Sequence, residues 1–198
     1  FKDKDFLAFS IETRKEQGES YSTINGFFRN YELMYVVADE RDLFRVRTTF
    51  RDPQEQVYVL RTDTPLVNVR KLFIQYVKAI NQLNEKPEFY NTLTTNCTTR
   101  ILMHAETYAN RVRYNWKIFA SGYVPDYLFE IGALASGYEF EEIMKLSLIN
   151  ERSLAADTAE DYSLRIRKGI PRPAPAELND KGEVVDKWQG VKTGTGYV

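Results

Sequence analysis

The chain has 198 residues, with 27 Lys and Arg against 28 Asp and Glu, for a formal net charge of −1. That balance argues against a nucleic-acid binder, whose phosphate contacts need a basic surface. A single cysteine excludes an intramolecular disulfide, and no apolar run approaches the roughly 18 residues that span a bilayer.

With 43% hydrophobic and 28% charged residues, the composition is that of an ordinary soluble globular chain. The length suits one domain with a real core, plus a tail. The opening run Phe1-Lys2-Asp3-Lys4-Asp5 reads as a turn between two strands, so a strand of the same domain is expected upstream of it.

Phe6 to Glu12 alternates as a strand does, with Phe9 and Ile11 on one face and Ser10 and Glu12 on the other. Thr13 to Ser22 is polar, contains Gly18 and reads as a loop. Ile24 to Asn30 suits a short helical turn. Tyr31 to Ala38 is a second strand, more continuously apolar and so central. Asp39-Glu40-Arg41-Asp42 places acids at the start of a helix through Thr48, where they read as helix-capping residues. Gln56 to Arg61 predicts a third strand.

Thr64-Pro65 is a helix start, with Thr64 as cap and Pro65 at the first helical position. Val69, Leu72, Phe73, Tyr76, Val77 and Ile80 follow at helical spacing to about Asn84, and Pro87 ends the element. An Asn/Thr-rich loop then leads into a helix from Cys97 to about Asn110. Trp116 to Leu148 reads as irregular helix. From Gly169 the chain turns Pro-, Gly- and Lys-rich without apolar periodicity. The expected organisation is a domain over 1–168 and a linker or disordered tail over 169–198. Strands followed by helices make the fold class α+β, a small antiparallel sheet packed with helices.

Cys97 is the most informative residue. The run Tyr90-Asn91-Thr92-Leu93-Thr94-Thr95-Asn96-Cys97-Thr98-Thr99 sets cap-forming residues just before an apolar stretch. The only thiol therefore falls in a first helical turn, where free N–H groups and the helix dipole favour the reactive thiolate. The competing reading is a small buried hydrophobe. Asn96-Cys97-Thr98 also fits the N-x-Thr glycosylation pattern, a match common by chance.

His104, the only histidine, lies two helical turns beyond, roughly 10 Å along the axis. That is too far for a direct hydrogen bond to the thiol. Glu12 and Arg14 share a strand face, either as a surface ion pair or with Glu12 as the carboxylate that orients an imidazole. No metal site or cofactor is expected, because one histidine and one cysteine offer no paired ligand spacing. Glu139, Glu141 and Glu142 read as a solvated helix start.

Four runs together carry a resemblance: Ser10-Ile11-Glu12-Thr13-Arg14-Lys15-Glu16, Tyr31 to Asp42, Tyr90 to Thr99, and Ile149-Asn150-Glu151-Arg152. Over about Phe6 to Lys168 the chain resembles the bacterial Lnb N-terminal periplasmic domain family. That family's pattern is similar to the permuted papain-like fold of NlpC-type hydrolases and lecithin:retinol acyltransferase-like enzymes. The resemblance implies Asn96-Cys97 at the nucleophile position and Glu12, or less well Ser10, at the orienting position. It places the histidine strand just before Phe1, an N-terminal truncation of the pattern. Tyr90, Asn96 and Arg14 are the expected substrate-binding residues.

The function so implied is thiol-dependent acyl transfer or hydrolysis in the periplasm or envelope. A lipid or lipoprotein is the expected substrate, and the parent protein is expected to associate with a membrane. A plain cysteine peptidase would differ only in its acceptor. The alternative from another class is a non-catalytic envelope module that binds lipid, peptidoglycan or protein on the same scaffold.

Overall fold

The computed structural model describes residues 6–14, 31–90, 98–101, 116–119, 121–175, 177 and 179–181. The expected turn at Ile24 to Asn30 lies outside them, as does most of the helix expected after Cys97. Strand β1 (Leu7–Arg14) pairs antiparallel with β2 (Glu32–Asp39), with Ile11 opposite Tyr35 and Glu12 opposite Met34. Thr13, expected in a loop, is the strand partner of Leu33.

Alternation gives this ribbon two unlike faces. Ile11, Leu33, Phe9 and Tyr35 face a core that also holds Tyr31, Tyr76 and Tyr90. Ser10, Glu12 and Arg14 project to the other side. A bridge between Glu32 and Phe89 lays residues 88–90 along the outer edge of β2. The sheet has two strands among the described residues, so β2, expected to be central, is flanked on its far side by this single bridge and not by a third strand.

Helix α1 (Glu40–Arg45) starts where its acids predict: the Asp39 side chain accepts a 2.8 Å hydrogen bond from the Arg41 N–H. Glu40 departs from the capping reading, because it is buried and turned inward. A π-helical turn follows over Val46–Phe50.

The third expected strand, Gln56 to Arg61, is extended but forms no ladder. Among the described residues, its only pairing is a bridge between Tyr58 and Leu148. The physical reason is the partner's length. Helix α4 (Phe140–Ser147) and helix α5 (Asn150–Ala156) leave only Leu148 and Ile149 between them. The Asn150 amide completes the seam, accepting from Val57 N–H at 2.9 Å and donating to the Glu55 carbonyl at 2.8 Å.

Helix α2 (Leu66–Glu85) starts one residue later than expected. Pro65 has extended ψ and accepts from the Asn68 and Val69 N–H groups through its carbonyl. The Thr64 hydroxyl bonds to Thr62 at 2.9 Å instead of capping. The helix packs on the sheet by a narrow stripe. Phe9 meets Phe73 edge-on at 5.8 Å, and Tyr35 meets Tyr76 edge-on at 6.0 Å. Val69, Phe73 and Val77, all on the apolar spacing, remain about two-fifths exposed.

Irregular helix over Trp116 to Leu148 appears as expected: 3-10 turns at Trp116–Phe119 and Ser121–Tyr123, helix α3 (Val124–Glu130), then α4. Glu141 and Glu142 occupy the first turn of α4.

A second core joins Val57 and Val59 to Ile149, Ala156, Tyr162 and Ile166. Helix α6 (Tyr162–Ile166) closes it. The packed chain continues past Lys168, because Ile170 belongs to the same core. Gly169, at φ 80°, makes the turn that brings Ile170 back.

Two polar links cross this core. Thr48, Ser153 and Tyr162 form a buried hydroxyl chain at 2.7 and 2.6 Å. Arg167 binds the Glu40 carboxylate through both terminal nitrogens, one at 2.6 Å.

Arg167→Ala would leave Glu40 buried without its counter-charge. The expected cost is about 3 kcal/mol, read as a lower urea midpoint at unchanged slope.

Burial raises the Tyr162 hydroxyl above its ordinary pKa of 10.0, and the Glu40 charge adds to this, while the Ser153 hydrogen bond, Arg45 and Arg41 oppose it. The unfolded chain therefore ionises first. This contribution to stability is complete below the ordinary value and is lost as pH rises through the folded-state value. Urea midpoints taken from about pH 9 upward should fall less steeply in Tyr162→Phe than in the parent.

Candidate functional site

Cys97, Asn96 and His104 lie outside the described residues. Residues 98–101 are helical, with Thr98 and Thr99 buried. Arg100 anchors this turn through an ion pair to Glu88. Glu88 is fixed in turn, because its carbonyl accepts from the Leu33 N–H at 2.8 Å. The Tyr90 N–H donates to the Tyr31 carbonyl, also at 2.8 Å. The segment is therefore tied to the start of β2 on both sides of Phe89.

Tyr90 is 8% exposed, in the core with Ile11 and Tyr76. Burial holds the Tyr35 hydroxyl above its ordinary pKa, with Arg100 opposing and Glu88 reinforcing. The 98–101 turn thus acts electrostatically on the Tyr35 face of the ribbon.

Glu12 stands on the other face. Its carboxylate accepts from the Ser10 hydroxyl at 2.5 Å and is ion-paired with Arg47. Arg47 is held further by the Leu43 carbonyl at 3.0 Å and by Glu55 at 3.6 Å. Arg14 pairs with Glu32 at 3.0 Å in an exposed position. The Glu12–Arg14 pair considered from the sequence is therefore not formed; each residue has another partner.

Ile11 packs with Tyr90 and its neighbour Glu12 points away, so the ribbon separates Glu12 from Tyr90. No sequence pattern pointed to Arg47 as Glu12's partner or to Glu88 as Arg100's. The first pair spans 35 positions, beyond any local spacing rule. The second spans 12 and becomes visible only once residues 88–90 are seen to pair with β2.

Among the described residues, no group of three His, Cys, Asp or Glu could hold a metal ion. No described helix is long and apolar enough to cross a membrane.

Glu12 and Arg47 are about a quarter and a fifth exposed, so solvent screens their attraction. Glu12→Gln should cost no more than about 1 kcal/mol in urea unfolding. A larger loss would mean that the carboxylate organises the whole Ser10–Arg47–Glu55 cluster.

No curated protein and no solved structure matches the chain. A family model does. The Lnb N-terminal periplasmic domain matches residues 1–122, more than half of the 198. That span takes in both strands, α1, α2 and Cys97, while Ile149 to Arg152 lies beyond it. The chain belongs to the Lnb N-terminal periplasmic domain family, and its place is the periplasm.

Proposed function

We propose that Cys97 is the nucleophile of a thiol-dependent acyltransferase or hydrolase of the bacterial envelope, built on a permuted papain-like fold. The observation that carries this reading is the anchored helical turn at 98–101 directly after Asn96-Cys97. Arg100, whose side chain is only 14% exposed, lies three residues on. With Cys97 in the first turn of that helix, as the sequence predicts, a residue three on would share its side, so the helix dipole and Arg100, though paired with Glu88, would both favour the thiolate.

In the mechanism, the Cys97 thiolate attacks an ester or amide carbonyl. The Cys97 N–H stabilises the oxyanion, assisted by Tyr90. The tetrahedral intermediate collapses to a thioester as the leaving group takes a proton from an imidazolium. An amine or water, deprotonated by the same imidazole, then attacks the thioester and releases the thiolate. Asn96 contacts the substrate, a lipid or lipoprotein, while Arg14, paired with Glu32 on the Ser10–Glu12 side of the ribbon, would reach it only if the centre lay on that side. Glu12 orients the imidazole only if that ring lies on the Ser10–Arg47 face. The anchoring of 98–101 beside Glu88 and Tyr35 favours a centre on the Tyr90 face, which would leave Glu12 a structural part.

That same engagement of Glu12 by Arg47 and Ser10 favours the second reading, a non-catalytic binding module on the scaffold. Alkylation of Cys97 across pH in the intact protein separates the two. An apparent pKa below about 7, against about 8.5 for a free thiol, is expected of the enzyme. Cys97→Ala should then abolish acyl release from a phospholipid donor while leaving the melting temperature within a few degrees of the parent. Retained turnover in that variant would sink the catalytic assignment.

A further inference from the structure

A cavity of about 530 Å³ opens between Phe6, the end of the extended 57–61 segment and helix α6. Four cations line it, Arg61, Arg165, Arg167 and Lys168, against one carboxylate, Asp161. Two of the four are balanced. Arg165 pairs with Asp161 at 2.7 Å, and Arg167 pairs with the buried Glu40. Among the described residues, neither Arg61 nor Lys168 has an ion-pair partner.

Arg61 is also crowded by like charge. Its guanidinium is pushed below its ordinary pKa first by burial, then by Arg172 and Arg167. Cations that outnumber their counter-charges repel one another, and a bound anion relieves that repulsion.

The wall chemistry narrows the ligand. The Arg167 guanidinium lies over the Phe6 ring at 4.7 Å, which holds it at one side of the cavity. Arginine forks match the oxygens of phosphate in a bidentate manner, and lysine adds a point charge. Among the described residues lining the cavity, only Phe6 and Leu164 are apolar, so it suits a polar headgroup better than an acyl chain.

We propose that this cavity is a binding site for a phosphate-bearing ligand, with Arg61 and Lys168 as its principal anion contacts. The site is independent of Cys97 and would stand if the thiol were inert. Its ligand is either a soluble phosphate ester or the headgroup of an anionic phospholipid, which present the same oxygens.

Two measurements on the intact protein test this. The first is calorimetric titration with inorganic phosphate and with glycerol 3-phosphate at low and high salt. The second is flotation with phosphatidylcholine vesicles with and without phosphatidylglycerol. Binding should weaken with salt. It should also weaken roughly tenfold in each of Arg61→Gln and Lys168→Gln, and stay unchanged in Lys71→Gln on the exposed side of α2. Binding of the soluble esters that follows this pattern identifies a free phosphate ligand. Binding confined to phosphatidylglycerol vesicles, with the same sensitivity, identifies a lipid headgroup. Absence of both, or binding indifferent to Arg61 and Lys168, would overturn the site. None of these readouts depends on turnover.

Discussion

Glu40 and Arg167 stand 127 positions apart, and their ion pair joins the start of α1 to the end of α6. Glu40 opens α1 directly after β2, and its N–H donates to the Phe6 carbonyl at 3.0 Å just ahead of β1. Arg167 caps the end of α6, where its guanidinium also donates to the Ser163 carbonyl and covers the Phe6 ring. With the Arg45–Asp157 pair and the Thr48–Ser153 hydrogen bond, this contact fastens the ribbon's end to the second core. A carboxylate buried this deeply is tolerable only while that guanidinium satisfies it. With Arg167 committed to Glu40, the neighbouring cations Arg61 and Lys168 are left uncompensated among the described residues.

The two-stranded ribbon is the other organising element. It is too small to be stable alone, and it gains a core on one face only, from α2 and from residues 88–90. The opposite face carries Ser10, Glu12 and Arg47 in a hydrogen-bonded cluster. The polar cluster takes in Arg47 of the π-helical turn and Glu55, while the Tyr90 face receives the 98–101 turn. The proposed chemistry of Cys97 would on this arrangement belong to the aromatic side. The residues a one-dimensional reading groups with it are divided between the two sides.

Local elements were readable wherever a local rule governs them. Asp39 caps α1 because a short acid before a helix has its N–H groups within reach. Both strands appear because alternation and continuous apolarity are properties of neighbouring residues. Helix α2 appears because a stripe recurs at the helical period, although its start moved past Thr64 when Pro65 took an extended ψ. Elements that need a partner were not readable. Gln56 to Arg61 has every local property of a strand, yet among the described residues only the short link around Leu148 and Ile149, between two helices, pairs with it. Ile170 sits in a stretch with tail-like composition and is held in the core by contacts to residues far back in the chain.

From sequence alone came the α+β class, the order of the elements, the family resemblance and the prominence of Cys97. These follow from composition, periodicity, spacing and short runs of residues, which are written along the chain. Only the tertiary structure decided that Glu12 belongs to Arg47, that Arg100 belongs to Glu88, that Glu40 is buried against Arg167, and that Arg61 and Lys168 share a cavity with no ion-pair partner of their own among the described residues. Each of these depends on which side chains meet after the strands pair and the helices close over them. Pairing between distant charges leaves no periodic trace, because its partners are chosen by packing and desolvation and not by separation along the chain.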